Sequence, residues 1–222
     1  MPFDGPVLVG IDFTPSCLAA LRVGRRLAQE RKVPARALHV IDSLVVADLA
    51  DSLGPAGGGS VADVLSRDAV NAWRTFSGSA FEAVPLEVVV DHRVHGLLDA
   101  VVRYSPSLLV LGAFGSRPAD VGAGTTATAA VRRGGCDVLL VRDTHEGAFR
   151  RILVGVDFSE TSLKALRVAL EIARDEGAST EVLHVFHGPW HALHYRAPTP
   201  EADPRFQVQF RNAVDRRLAV VV

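Results

Sequence analysis

The chain repeats itself at whole-domain length, and that repeat limits what it can fold into more than any other feature does. Residues 7–42, VLVGIDFTPSCLAALRVGRRLAQERKVPARALHVID, align without a gap on residues 152–187, ILVGVDFSETSLKALRVALEIARDEGASTEVLHVFH. Asp12 falls on Asp157, Leu21 on Leu166, Arg22 on Arg167 and His39 on His184, a constant offset of 145 residues. Solenoid repeats have periods of roughly 20–50 residues, so this is a duplicated domain. The expected division is a complete first domain over 1–145 and an incomplete second one over 150–222, holding only β-α-β-α of the same plan. Any functional residue must be read as present in both copies, in one, or in neither.

Within the first copy, Val7–Asp12 is a β-branched run of the kind found in strands buried on both faces. Thr14 and Pro15 supply an N-cap and a first-turn proline, and the apolar spacing from Leu18 to Leu27 predicts a helix through Arg31. Ala37–Ile41 is the next strand, and LGPAGGGS at 53–60 reads as a loop. Helical spacing follows from Ser60 to Ala83 and from Val94 to Tyr104, with strands at Leu86–Val90 and Leu108–Leu111. A short helix at Thr125–Arg133 and a strand at Val138–Val141 complete the copy. The order β-α-β-α-β-α-β-α-β with apolar strands predicts an α/β, doubly wound five-stranded parallel sheet. The second copy gives strands at Ile152–Asp157 and Glu181–Phe186, a helix at Thr161–Glu176 and a last helix around Phe206–Leu218, a partial copy of the fold.

Several classes are set aside early. The net charge is −1, so no basic field argues for nucleic acid. No apolar run approaches the roughly 18 residues of a spanning helix, which argues against a membrane. The N-terminus lacks the signature of a secretory signal, and two scattered cysteines, Cys17 and Cys136, form no disulfide framework. The expected setting is a reduced cytoplasm.

The chemistry-bearing stretch is 109–141, LVLGAFGSRPADVGAGTTATAAVRRGGCDVLLV. A strand runs into Gly112 and Gly115, and a loop leads to Gly124-Thr125-Thr126 at a helix start. Glycines let the backbone approach phosphate oxygens, and free N–H groups at a helix start donate to them. The threonine hydroxyls can add donors or hold a Mg²⁺ ion. No lysine precedes Thr125, so this is not the Walker sequence.

With VLVGIDFT at the first strand, ALHVID at the second, LLVLGAFG at the fourth and the run from Gly124 to CDVLLV, the chain resembles the universal stress protein family, and its two-copy layout resembles the family's tandem members. The resemblance implies a sheet order of 3-2-1-4-5, with the switch point between the strands ending in Asp12 and Gly112. Family members that bind ATP carry G-x₂-G-x₉-G-(S/T). Gly112 and Gly115 match the first pair, and eight residues, not nine, separate Gly115 from Gly124. The spacing reads as a one-residue deletion in Ser116–Ala123. The resemblance implies that Asp12 faces the ribose and adenine side and that Val40 packs near adenine. Gly112, Gly115, Gly124, Thr125 and Thr126 would line the phosphates. It also implies association through the last strand, hence a homodimer.

The expected function is an ATP-binding, regulatory stress-response module, at most a slow ATPase, because no general base is poised for water. Its rivals are a nucleotide-free interaction module of the same fold and an enzyme like the adenine-nucleotide alpha-hydrolases. Asp12 also has a plainer reading as a carboxylate near a helix start, and Arg117 as an exposed loop arginine. His184, His187, His191 and His194 fall within metal-ligand spacing. His39 occupies the same repeat position as His184 without such a cluster, so the group reads as loop histidines and no metal site is assigned. His92, Arg93 and His95 follow the edge strand, which argues against a direct part in the cleft.

Overall fold

The computed structural model describes residues 4–53, 60–81, 83–114, 124–185 and 204–221. The chain divides into two compact units, with the boundary at Gly147–Ala148.

The first unit begins with β1 (Val7–Gly10), α1 (Pro15–Arg31), β2 (Ala35–Asp42), α2 (Ser43–Leu53) and α3 (Val61–Ser77). One turn of 3₁₀-helix at Ser79–Phe81 leads into β3 (Leu86–Asp91), α4 (Arg93–Tyr104), β4 (Leu108–Gly112), α5 (Thr125–Arg133) and β5 (Asp137–Val141). The strands form one parallel sheet in the order β3-β2-β1-β4-β5. Every strand is parallel to its neighbours, with Val9 opposite Ala37 on one side and Val110 on the other. Such sheets need cover on both faces, because their strands are apolar on both. One face carries α1, whose Gly24 lets the helix approach Val9 closely: a Cβ there would lie 2.7 Å from a Val9 methyl. The other face carries α4 and α5, which bury Leu8, Leu38, Leu109 and Leu111 with Leu97, Ala100, Ala127 and Ala130.

The expected helix-strand alternation holds with one addition. α2 follows β2 without a loop. The run IDSLVVADLADSL has no glycine or proline to mark where the strand stops. Asp42 makes the turn, its carboxylate accepting from the Leu44 N–H at 3.2 Å. Residues 54–59 of the expected loop lie outside the described residues. Thr14 occupies the N-cap position of α1 as expected but makes no side-chain bond to the helix. Its hydroxyl is taken by Asp12 at 2.5 Å.

The second unit contains β6 (Arg151–Gly155), α6 (Glu160–Glu176), β7 (Ser179–Leu183) and α7 (Pro204–Val221). Its sheet has two parallel strands among the described residues. β6 and β7 end earlier than expected, and α7 extends the expected helix at both ends. α6 packs Leu166 and Ala169 on Val154 and Val156, as α1 does in the first unit. The opposite face differs sharply between the copies. Leu8 and Leu38 are 1% exposed under α4 and α5, whereas Leu153 and Leu183, at the equivalent positions, are 64% and 47% exposed.

Candidate functional site

The strand ends of the first unit converge on a cavity of about 240 Å³. It lies where strand order reverses, with β2 and β4 on either side of β1. In open α/β sheets that crevice is the usual place for a ligand.

The floor is built by the chain's sharp exit from β1. Phe13 is held at φ +60°, a left-handed conformation that costs a residue with a Cβ about 1 kcal/mol or more. Contacts with Thr14, Cys17 and His39 hold it there. Asp12 Oδ1 accepts from the Thr14 N–H at 3.1 Å and from its hydroxyl. The Asp12 N–H donates to the Cys17 sulfur at 3.3 Å. His39 Nδ1, which carries the proton, donates to the Ile11 carbonyl at 2.8 Å, while its ring packs on Phe13 with centroids 4.8 Å apart. The second unit repeats this elbow. Phe158 has φ +65°, Asp157 Oδ1 accepts from the Ser159 N–H and hydroxyl at 2.9 and 2.6 Å, and His184 Nδ1 donates to the Val156 carbonyl at 2.6 Å. His39 and His184 are therefore latches between two strand ends. The elbow is common to both units, and in the first unit α5 stands opposite it.

Opposite Asp12 lies the start of α5. Gly124 is its N-cap, with no side-chain cap bond. The first N–H groups of such a helix have no intrahelical acceptor, and the positive end of the helix dipole lies there. A Cβ on Gly124 would meet no protein atom within 4 Å, so the space in front of it is open. Thr125 is exposed and Thr126 half-buried, and both line the cavity with Gly112 and Gly124. Gly112 has a second reason to be glycine, since a Cβ there would lie 2.7 Å from the Ser16 hydroxyl and 3.1 Å from the Cys17 nitrogen. It is required by the packing of β4 on α1.

The wall on the β2 side is formed by Leu38, Val40 and Leu97, with Arg93 at its rim. Arg93 corrects the expectation that the residues after β3 stay away from the cleft. The connection from β3 to β4 must cross over β2 and β1, so α4 lies back over β2, with Gly96 against Val40. Its first residue therefore reaches the cleft, although β3 is an edge strand. Arg93 Nε donates to Asp42 Oδ2 at 2.8 Å, and this bond holds the Asp42 carboxyl below the usual carboxylate range.

The cleft thus brings together Asp12, Val40, Gly112, Gly124, Thr125 and Thr126. Gly115 and Arg117 lie outside the described residues, as do His187, His191 and His194. Among the described residues no group of three His, Cys, Asp or Glu side chains could hold a metal. Beneath Asp12, burial and then the neighbouring Asp12 charge push the Cys17 thiol up to about 12, so it stays protonated and unreactive.

The model of the universal stress protein family matches residues 5–142 and again 148–214. The chain belongs to the universal stress protein family. Among solved structures, a universal stress protein from Archaeoglobus fulgidus is similar at 21% identity and a TM-score of 0.60, over 84% of this chain and 70% of that one. A hypothetical protein whose biochemical function was assigned from its structure is similar at 15% identity and a TM-score of 0.52, over 65% of this chain and 99% of that one. A universal stress protein in complex with cAMP is similar at 21% identity and a TM-score of 0.42, over 63% of this chain and 98% of that one. At these identities the first two likenesses show the shared fold. No curated protein matches the chain. Among the described residues, no helix of this universal stress protein is long and apolar enough to cross a membrane.

Proposed function

We propose that the chain is a regulatory, stress-response module whose first unit binds an adenine nucleotide, ATP with Mg²⁺ foremost, and turns it over slowly at most. One observation supports this reading above the others: the crevice pairs a carboxylate with an uncapped helix start across the same opening. Asp12 uses Oδ1 within the elbow, and its Oδ2 would accept from ribose hydroxyls or the adenine amine. The N–H groups at the start of α5 and the Thr125 and Thr126 hydroxyls suit phosphate oxygens. Val40 offers an apolar surface to the base. Gly115, by its place in the sequence motif, would add to the phosphate side.

The residues fit the nucleotide chemically. The open space before Gly124 is where a phosphate would sit. Bound Mg²⁺ would neutralise phosphate charge, and the threonine hydroxyls are the side chains placed to meet it. Among the described residues, Asp12 is the one carboxylate that lines the cleft, and the elbow and a ribose contact would use both its oxygens. Among the described residues no second carboxylate lines the cleft, which supports binding without efficient hydrolysis.

A nucleotide-free role is favoured by one feature, the packing need that accounts for Gly112 without any ligand. It does not account for Gly124. We place the protein in a reduced cytoplasm, consistent with two free thiols, and as a homodimer. Mass spectrometry of small molecules released on denaturing the purified chain tests the reading. An adenine nucleotide at near-stoichiometric yield is expected. Its absence, together with no uptake of added ATP, would remove the proposal.

A further inference from the structure

The two walls of the cleft differ in a way that assigns a task to Arg93, provided the cleft is the adenine-nucleotide site proposed above. The β4–α5 wall carries the donors suited to phosphate. The β2–α4 wall is apolar, with Leu38, Val40 and Leu97, and Arg93 stands at its rim. His39 also lines this wall, but its Nδ1 is committed to the Ile11 carbonyl and its ring to Phe13.

Arg93 is anchored at one point. Its Nε donates to Asp42 Oδ2 at 2.8 Å, and Asp42 is in turn fixed by the Leu44 N–H. The Arg93 side chain is 65% exposed and that of Asp42 11%, so the carboxylate is the firm partner and the guanidinium reaches outward. An arginine held through Nε keeps its plane oriented and its two terminal nitrogens available.

Charge balance separates the two tasks such a residue can have. Beside Arg93, Asp91 pairs with His95 at 2.5 Å. Arg93 and His95 thus stand against the anions Asp42 and Asp91, with His92 the other titratable group on this turn. Two carboxylates offset the positive charge here, so the local field attracts phosphate poorly. A guanidinium is weakly hydrated and planar, and it stacks on flat heteroaromatic rings without needing a net charge around it. We infer that Arg93 is the base-clamping residue of this cleft, laying its guanidinium on a purine ring held against Val40 and Leu97. The ligand class is a purine nucleoside or nucleotide, and recognition at this wall is independent of the number of phosphates.

Calorimetric titration of the full chain with adenosine, AMP, ATP and UMP tests the inference, using wild type, Arg93→Ala, Arg93→Lys and Asp42→Asn, with thermal unfolding as the control for the fold. Arg93→Ala is expected to weaken adenosine, AMP and ATP by the same factor, roughly ten-fold, and to narrow the preference for AMP over UMP. Arg93→Lys keeps the charge and the reach to Asp42 but lacks the plane, so it is expected to fall with the alanine variant. Asp42→Asn should give a smaller loss of the same uniform kind, through release of Arg93. A penalty that grows from adenosine to ATP would overturn the inference by making Arg93 an anion contact. Unchanged affinities in Arg93→Ala and Arg93→Lys would overturn it while leaving the nucleotide site standing. No binding of AMP or ATP by wild type would overturn the site itself and the inference with it.

Discussion

Replacing Gly124 with valine puts new atoms where no protein atom lies within 4 Å, on a backbone at φ −62° that any residue can adopt. The fold should lose about 1 kcal/mol at most, from a poorer N-cap, while calorimetry should show ATP binding gone. Gly112→Ala should act first on the fold. Its Cβ would strike Ser16 and the Cys17 backbone, so denaturant unfolding should show a loss of about 1–3 kcal/mol. Equal stability losses in the two variants would contradict this division. The Asp91–His95 pair gives a prediction in pH. The Asp91 hydrogen bond raises the His95 pKa above its ordinary value, and that bond also holds Asp91 below its own. The histidine's contribution is complete below its unfolded pKa of about 6.5 and is lost as pH rises through the folded value. The aspartate's is present above about pH 4 and is lost as pH falls through its lowered value. NMR titration should place His95 above the ordinary imidazole value in wild type, and back near it in Asp91→Asn. An unmoved His95 would contradict the pair.

α4 ties the β2 wall to the rest of the cleft, and Gly96 sets how close it lies. A Cβ there would stand 2.9 Å from a Val40 methyl and 3.2 Å from the Asp91 Cβ. Gly96→Val should therefore lift the first turn of α4, lower the thermal midpoint and weaken nucleotide binding together. Loss of stability with unchanged affinity would show that the wall is not part of the site. The strands and most helices were legible because their apolar spacing is regular, and the sheet order followed from the resemblance. α2 was not legible, because the strand's apolar run continues into it and Asp42, which makes the turn, looks like any polar residue at a strand end. Asp12, Val40 and the glycines of the cleft could be picked out from the motif. Arg93 could not, since its place depends on how far α4 crosses back over the sheet. A count of strands crossed between β3 and β4 was the signal that could have found it. The double reason for Gly112 was equally hidden, because only packing reveals the approach of α1.

The duplication preserves the elbow and its histidine latch in both units, and α5 has one copy among the described residues. Asp157 repeats the acid of the elbow: the Ser159 hydrogen bond holds its carboxyl down at about 2, and among the described residues of the second unit no helix equivalent to α5 is present. The shorter Ser116–Ala123 segment should leave the adenine side intact and cost discrimination among phosphates. ADP and AMP should compete with ATP within roughly one order of magnitude, or about 1.4 kcal/mol. β5 is an edge strand of the five-stranded sheet, and edges of this kind pair with other chains. Light scattering on the full chain should give a dimer, and a monomer at micromolar concentration would contradict that pairing. Calorimetric titration of the full, nucleotide-free chain with Mg-ATP bears most directly on the whole account. It should give one site per chain, abolished by Gly124→Val and weakened by Asp12→Ala without unfolding. Two equal sites, or no heat of binding at millimolar ATP, would contradict it.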